Sequence, residues 1–294
     1  MATDHYPAVF IGSSTEGLNI AKSLESALSK FSEPIIWTQG VFGLGQGTLE
    51  SLAKIAKRCD FAILVMTPDD SIQCRGISNH IPRDNVLFEL GLFIGSLGRE
   101  RTFMVYDQHG KIKLPSDIFG ITPATFSKPI PPNATQECLD EALKPVVEKI
   151  GEHIRKLGLR PENRCVLLEG AWQYVAVGID GDHKWKGDCD IIVNDSEIRI
   201  EGYRRCEIRK NEESPVSFFW ESKWVTFSCS LGYKIRWEHS INLRRGPARA
   251  YCVLTIHKDF DHMNGEGYFL SPHTQNWSGT LSFSRRESGE RNAV

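Results

Sequence analysis

Hydrophobic positions change period once along this chain. From Ala8 onward, short continuous apolar runs (AVFIG, PIIW, DFAILVM) alternate with stretches whose apolar residues recur every three or four positions (GLNIAKSLESALSKF, TLESLAKIAKRC). Parallel strands covered on both faces read as continuous apolar runs, and their crossovers read as amphipathic helices. The pattern continues with a helix over Asn85–Leu97, a strand at RTFMVY, a short strand at TPATF and a long helix from about Gln136 to Lys156. It predicts an α/β half with a five-stranded parallel sheet in a flavodoxin-like layout.

After Cys165 the helical period is lost. Eight segments rich in β-branched and aromatic residues, from LLEGAWQYVAVGI to WSGTLSFSR, are separated by turn-forming clusters such as DGDH, NDSE and RRGP. This predicts an all-β antiparallel barrel of about eight strands. The expected boundaries are 1–158 for the α/β half, a linker at 159–164 (LRPENR) after a glycine helix stop, a barrel at 165–286 and a flexible tail at 287–294.

Composition narrows the function. The chain has 294 residues, 24% charged and 40% hydrophobic, with a formal net charge of −2, so nothing marks a disordered chain or a basic DNA binder. No apolar run reaches membrane-spanning length and no leader pattern opens the chain, which points to a cytoplasmic protein with no membrane partner. The eight cysteines form no C-x-x-C pair and read as reduced thiols. The cluster HKDFDH, His257–His262, is explained by alternating polar residues at a strand end and turn; no metal site is expected.

The candidate chemistry lies in the first half. In RDNVLFELGLF, Arg83–Phe93, every residue from Val86 to Ile94 is apolar or glycine except Glu89. An ionised carboxylate is expensive to bury unless paired or hydrated. At helical spacing Asn85, Val86, Glu89 and Phe93 share a face, and Asp84 could cap the helix start. Glu89 then faces a cleft, snorkels to solvent, or pairs with an arginine such as Arg83. Three loops surround the same region. FIGSSTEG leaves the first strand toward a helix N-terminus, a place where amides meet phosphate oxygens, or where Ser13 or Ser14 simply caps a βα turn. WTQGVFGLGQG follows the second strand, with Trp37 readable as a strand-end core aromatic and Phe42 held between glycines. TPDDSIQCRGISNHIPRDN, Thr67–Asn85, reads as a long polar loop.

These segments together resemble the TIR-like domains of bacterial anti-phage defence effectors of the CBASS and Pycsar type, including the TIR half of bacterial TIR-STING proteins. The likeness spans the first half and rests on FIGSSTEG, on WTQGVF followed by TLESLAKIAKRCDFAILVMTPDD, and above all on RDNVLFELGLFIGSLGRERTF. It implies NAD as substrate with no cofactor, Glu89 as catalytic acid of an NAD glycohydrolase, and Ser13, Ser14, Trp37, Phe42 and Asp84 lining or gating the pocket. Phe88, Leu92 and Phe93 would desolvate the acid. It further implies self-association through TIR domains and a cyclic-nucleotide activator. The G-x-W of LEGAW resembles the start of lipocalin-like barrels, and Trp172, Arg204 and Arg236 are candidate ligand contacts in such a sensor. Three rivals stay open: a TIR scaffold without activity, the same NADase triggered by a phage protein or a lipid-like ligand, and a nucleoside deoxyribosyltransferase-like enzyme, which also uses a glutamate on a flavodoxin-like fold.

Overall fold

The computed structural model describes residues 5–37, 48–74, 76–115, 123–128, 130–131, 134–179, 184–194, 197–209, 212–215, 220–230, 232–243, 246–270 and 277–286. The chain divides into two compact units between Arg160 and Pro161.

In the first unit the continuous apolar runs are the strands β1 (Ala8–Ser13), β2 (Glu33–Trp37), β3 (Phe61–Val65), β6 (Thr102–Asp107) and β7 (Pro123–Phe126). All pair in parallel, in the order β2-β1-β3-β6-β7. This is the flavodoxin-like order 2-1-3-4-5, so the sheet is wound in two directions from β1 and β3. Helices α1 (Leu18–Leu28) and α4 (Gln136–Leu157) cover one face through Leu24, Leu28, Leu143, Val146 and Ile150. Helices α2 (Thr48–Arg58) and α3 (Asp84–Leu97) cover the other through Leu52, Ala56, Leu90 and Phe93.

One segment departs from its expected form. The stretch after β3 is not a plain loop: it contains an antiparallel hairpin, β4 (Asp70–Cys74) and β5 (Ile77–Ile81), turning at Gly76 with φ 76°. Alternation of polar and apolar residues there is too weak to have announced strands, and the hairpin forms its own two-stranded sheet.

In the second unit, a 3-10 segment, Pro161–Leu168, lies across the expected linker and the start of the expected first strand, which begins only at Gly170. The strands that follow are β8 (Gly170–Gly178), β9 (Lys184–Asn194), β10 (Glu197–Arg209), β11 (Glu212–Pro215), β12 (Trp220–Ser228), β13 (Lys234–Leu243), β14 (Gly246–Ile256), β15 (His262–Leu270) and β16 (Trp277–Arg285). Among the described residues eight of them close a ring, β10-β12-β13-β14-β15-β16-β8-β9 and back to β10, and β11 is a short addition on β10. Closure removes the sheet edges. The inward residues, including Trp172, Cys189, Ile200, Trp220, Ile235, Trp237, Leu254 and Phe283, are packed into one apolar core.

One barrel end is shut. The Trp172 indole N–H donates to the Leu168 carbonyl at 2.8 Å, and the Arg285 guanidinium lies 4.7 Å from the Trp172 ring centroid. Arg285 also donates to the carbonyls of Leu167, Glu169 and Phe260. Phe260 holds φ 58°, the single positive φ at a non-glycine among the described residues, and is buried at this end.

Candidate functional site

Helix α3 starts where Pro82 and an extended Arg83 (φ −55°, ψ 135°) prevent an earlier turn, and stops at Gly98, whose φ of 81° favours glycine. Its buried residues are Val86, Glu89, Leu90, Phe93 and Leu97, the three-and-four spacing of one helix face. Phe93 stacks on Phe10 of β1 with centroids 4.1 Å apart. Residues alternate across a strand, so Gly12 shares Phe10's side of β1 and faces the same helix.

There the Glu89 carboxylate sits directly on the strand. A Cβ at Gly12 would stand 2.6 Å from Glu89 Oε2, 2.8 Å from Leu64 Cδ1 and 2.8 Å from Phe10 Cε1. Glu89 is 6% exposed, and its Oε2 has no hydrogen-bond partner among the described residues. Burial pushes its pKa from 4.5 up to about 7, with no cation among the described residues holding it down. A shift of that size corresponds to a cost on the order of 3 kcal/mol for the ionised form. An unpaired acid at this cost marks a candidate functional carboxylate and not a structural ion pair.

Its position in the fold supports that. Gly12 lies near the C-terminal end of β1, beside β3, and these two strands flank the point where the sheet's winding reverses, the usual ligand crevice of open parallel sheets. Ser13 Oγ, at the end of β1, and Asp69 Oδ2, beyond β3, are also buried without a hydrogen-bond partner. Ser14 Oγ bonds Thr67 Oγ1 at 3.0 Å and accepts the Gly17 N–H at 3.2 Å, joining the ends of β1 and β3 to the start of α1. Arg83 ion-pairs with Asp70 at 3.0 Å and with Glu16 at 3.3 Å. Segments 13–17, 67–70 and 83–89 are thus tied together at this end of the sheet, and three of their oxygens, Ser13 Oγ, Asp69 Oδ2 and Glu89 Oε2, are buried without a hydrogen-bond partner among the described residues.

Several expectations change. Arg83 engages Asp70 and Glu16, not Glu89. Asp84 does not cap α3: the capping position is Arg83, and Asp84 is exposed in the first turn, its Oδ1 accepting the Asn85 N–H at 2.8 Å. Asn85 is exposed rather than on the buried face, and Phe88, 57% exposed, points away from the acid. Phe93 is buried on the acid's face as expected, and Phe10 and Leu64, on strands far from Glu89 in sequence, add to its desolvation. Trp37 ends β2 with its backbone paired to Gly12; its side chain, and all of Phe42, lie outside the described residues. In the barrel, Trp172 is 0% exposed and engaged by Leu168 and Arg285, while Arg236 is exposed between the inward Ile235 and Trp237. Trp172 and Arg236 stand on opposite sides of the barrel wall, so they do not share an interior ligand site. Arg204 follows the bulge after Gly202 in β10, and its side chain lies outside the described residues. In the HKDFDH cluster His262 bonds Asp259 at 3.0 Å and His257 bonds Asn264 at 2.9 Å. Phe10, Gly12 and Leu64 are neighbours of Glu89 that spacing along the chain did not mark; the signal for Phe10 and Gly12 was the small-residue turn FIGSS.

Known proteins match the same half of the chain. Residues 8–128 match the family described as CAP12/Pycsar effector protein, TIR domain. The chain is 41% identical over 152 residues to the Pycsar effector protein PaPycTIR of Pseudomonas aeruginosa, covering 51% of this chain and 48% of that protein. It is 39% identical over 191 residues to the CD-NTase-associated protein 12 of Flavobacterium daejeonense, covering 64% and 59% respectively. Against the Pycsar effector protein BcPycTIR of Burkholderia cepacia it is 38% identical over 154 residues, 51% and 48%. The chain thus spans about half the length of most of these curated relatives, and the first unit is TIR-like.

Proposed function

We propose that the first unit is an NAD glycohydrolase of the TIR effector type and that the barrel couples it to a signal of phage infection. The observation that carries this reading is the Glu89 carboxylate, buried, unpaired and pressed against Gly12 at the reversal point of the sheet. The likeness of residues 8–128 to the TIR domain of CAP12/Pycsar effectors supports the effector role.

Cleavage breaks the bond between ribose C1′ and the nicotinamide ring nitrogen. Nicotinamide leaves as a neutral base with the bonding electron pair, so no general acid is required. Positive charge develops at C1′ and the ring oxygen, and the Glu89 carboxylate stabilises it in a water-poor site where its field is strong. Water then adds at C1′ and loses a proton, giving ADP-ribose; attack by an internal nucleophile of the same molecule would give a cyclised form. Activation proceeds through binding of a cyclic nucleotide by the barrel and self-association of TIR domains, in the cytoplasm.

The test is nicotinamide release from NAD by the full chain, alone and with a panel of cyclic mono-, di- and trinucleotides, beside Glu89→Gln. Release that the variant abolishes supports the reading. No release under any condition from folded protein favours a scaffold, release only in lysate of infected cells favours a phage-protein trigger, and turnover of deoxynucleosides instead of NAD favours a deoxyribosyltransferase.

A further inference from the structure

A second carboxylate, Asp69, lies beyond the end of β3 with one oxygen buried and unpartnered among the described residues. The segment Thr67–Asp70 bridges the two helix starts that frame the site. At one end Thr67 Oγ1 bonds Ser14, beside the start of α1, and lies 3.5 Å from where a Cβ on Gly17 would be. At the other end Asp70 ion-pairs with Arg83, the capping residue of the helix that carries Glu89. Asp69 lies between these anchors, its N–H bonded to the Thr67 carbonyl at 2.9 Å and its Oδ2 buried with no partner. Its neighbour therefore takes the available arginine, while Asp69 keeps an unused acceptor turned away from water.

An ionised carboxylate oxygen can only accept. A buried acceptor without a partner in the protein is open to a donor from outside it, a ligand or a water. Resting on the NAD reading above, we propose that Asp69 is a positioning residue. Its Oδ2 accepts a hydrogen bond from a neutral donor of the dinucleotide, either a ribose hydroxyl or the nicotinamide carboxamide N–H, and this holds the scissile bond against Glu89.

The test measures binding of intact NAD to the full chain in a Glu89→Gln background, with and without Asp69→Ala. Loss of one hydrogen bond to a charged acceptor predicts about ten- to hundredfold weaker binding, with melting temperature unchanged or raised because no protein partner is lost. The two donor sources separate on analogues. If the donor is a hydroxyl, the matching deoxyribose analogue binds Glu89→Gln and the double variant equally; if it is the carboxamide, the nicotinic acid analogue does so. In the Asp69→Ala single variant kcat/KM falls through a lower kcat as well as a higher KM, because the scissile bond is no longer held against Glu89. Unchanged NAD affinity, or a drop in melting temperature accompanying the loss, overturns the proposal while leaving the NAD reading intact. Failure of both wild type and Glu89→Gln to engage NAD removes the NAD reading, and this inference with it.

Discussion

Gly12 and Glu89 touch: the carboxylate of a helix residue occupies the space a side chain on β1 would fill, with Oε2 2.6 Å from the position of a Gly12 Cβ. Gly12→Ala should force Glu89, Leu64 and Phe10 apart, costing about 1–3 kcal/mol of stability by overpacking. A displacement near 1 Å at the reacting group costs about a hundredfold in rate. NAD cleavage should fall that far or further while urea denaturation still shows a cooperative fold; full activity in the alanine variant would show that the acid works elsewhere.

Glu89→Gln should abolish cleavage and raise stability in a pH-dependent way. The folded pKa, about 7, lies above the ordinary 4.5, so the stabilising form is the protonated one. Its contribution is complete below pH 4.5 and is lost as pH rises through 7. The variant's advantage should therefore grow from pH 4.5 to about 7 and then level off, reaching the order of 3 kcal/mol. Denaturant midpoints at pH 4.5, 6 and 8 check this; a gap that does not change with pH would mean that Glu89 is hydrated.

Because the ionised form stabilises the transition state, kcat/KM for nicotinamide release should rise with pH and reach a plateau above about 7. Phe93→Leu thins the apolar wall that stacks on Phe10, so it should move this midpoint toward acid. A rate that falls as pH passes 7 would assign the work to the protonated acid.

Gly202→Ala places a methyl 2.0 Å from the Trp220 indole. The barrel should lose about 3 kcal/mol. Tryptophan fluorescence should register this, since six of the seven tryptophans lie in the second unit.

Arg285→Lys should destabilise the barrel although charge is kept. The guanidinium fork serves three carbonyls and the Trp172 face at once, and an ammonium cannot reproduce that geometry. Loss of about 2 kcal/mol in denaturant unfolding is expected; an unchanged midpoint would show that Trp172 alone seals this end.

The sequence by itself determined the two halves, the parallel sheet, the barrel and the singular position of Glu89. Each is written in local periodicity, or in a polar residue that violates it, and needs only neighbours along the chain to be read. Tertiary structure alone decided what surrounds the acid. Phe10, Gly12 and Leu64 reach Glu89 from strands that pair only once the sheet forms, whereas Phe88, adjacent in sequence, points outward because a helix turns about 100° per residue. Asp69 had no assigned role for the same reason: in a polar stretch an aspartate is unremarkable, and only the burial of its Oδ2 between two anchored helix starts sets it apart. Burial and pairing are properties of the packed chain, so the cost of Glu89 could be foreseen while its partners, and their absence, could not.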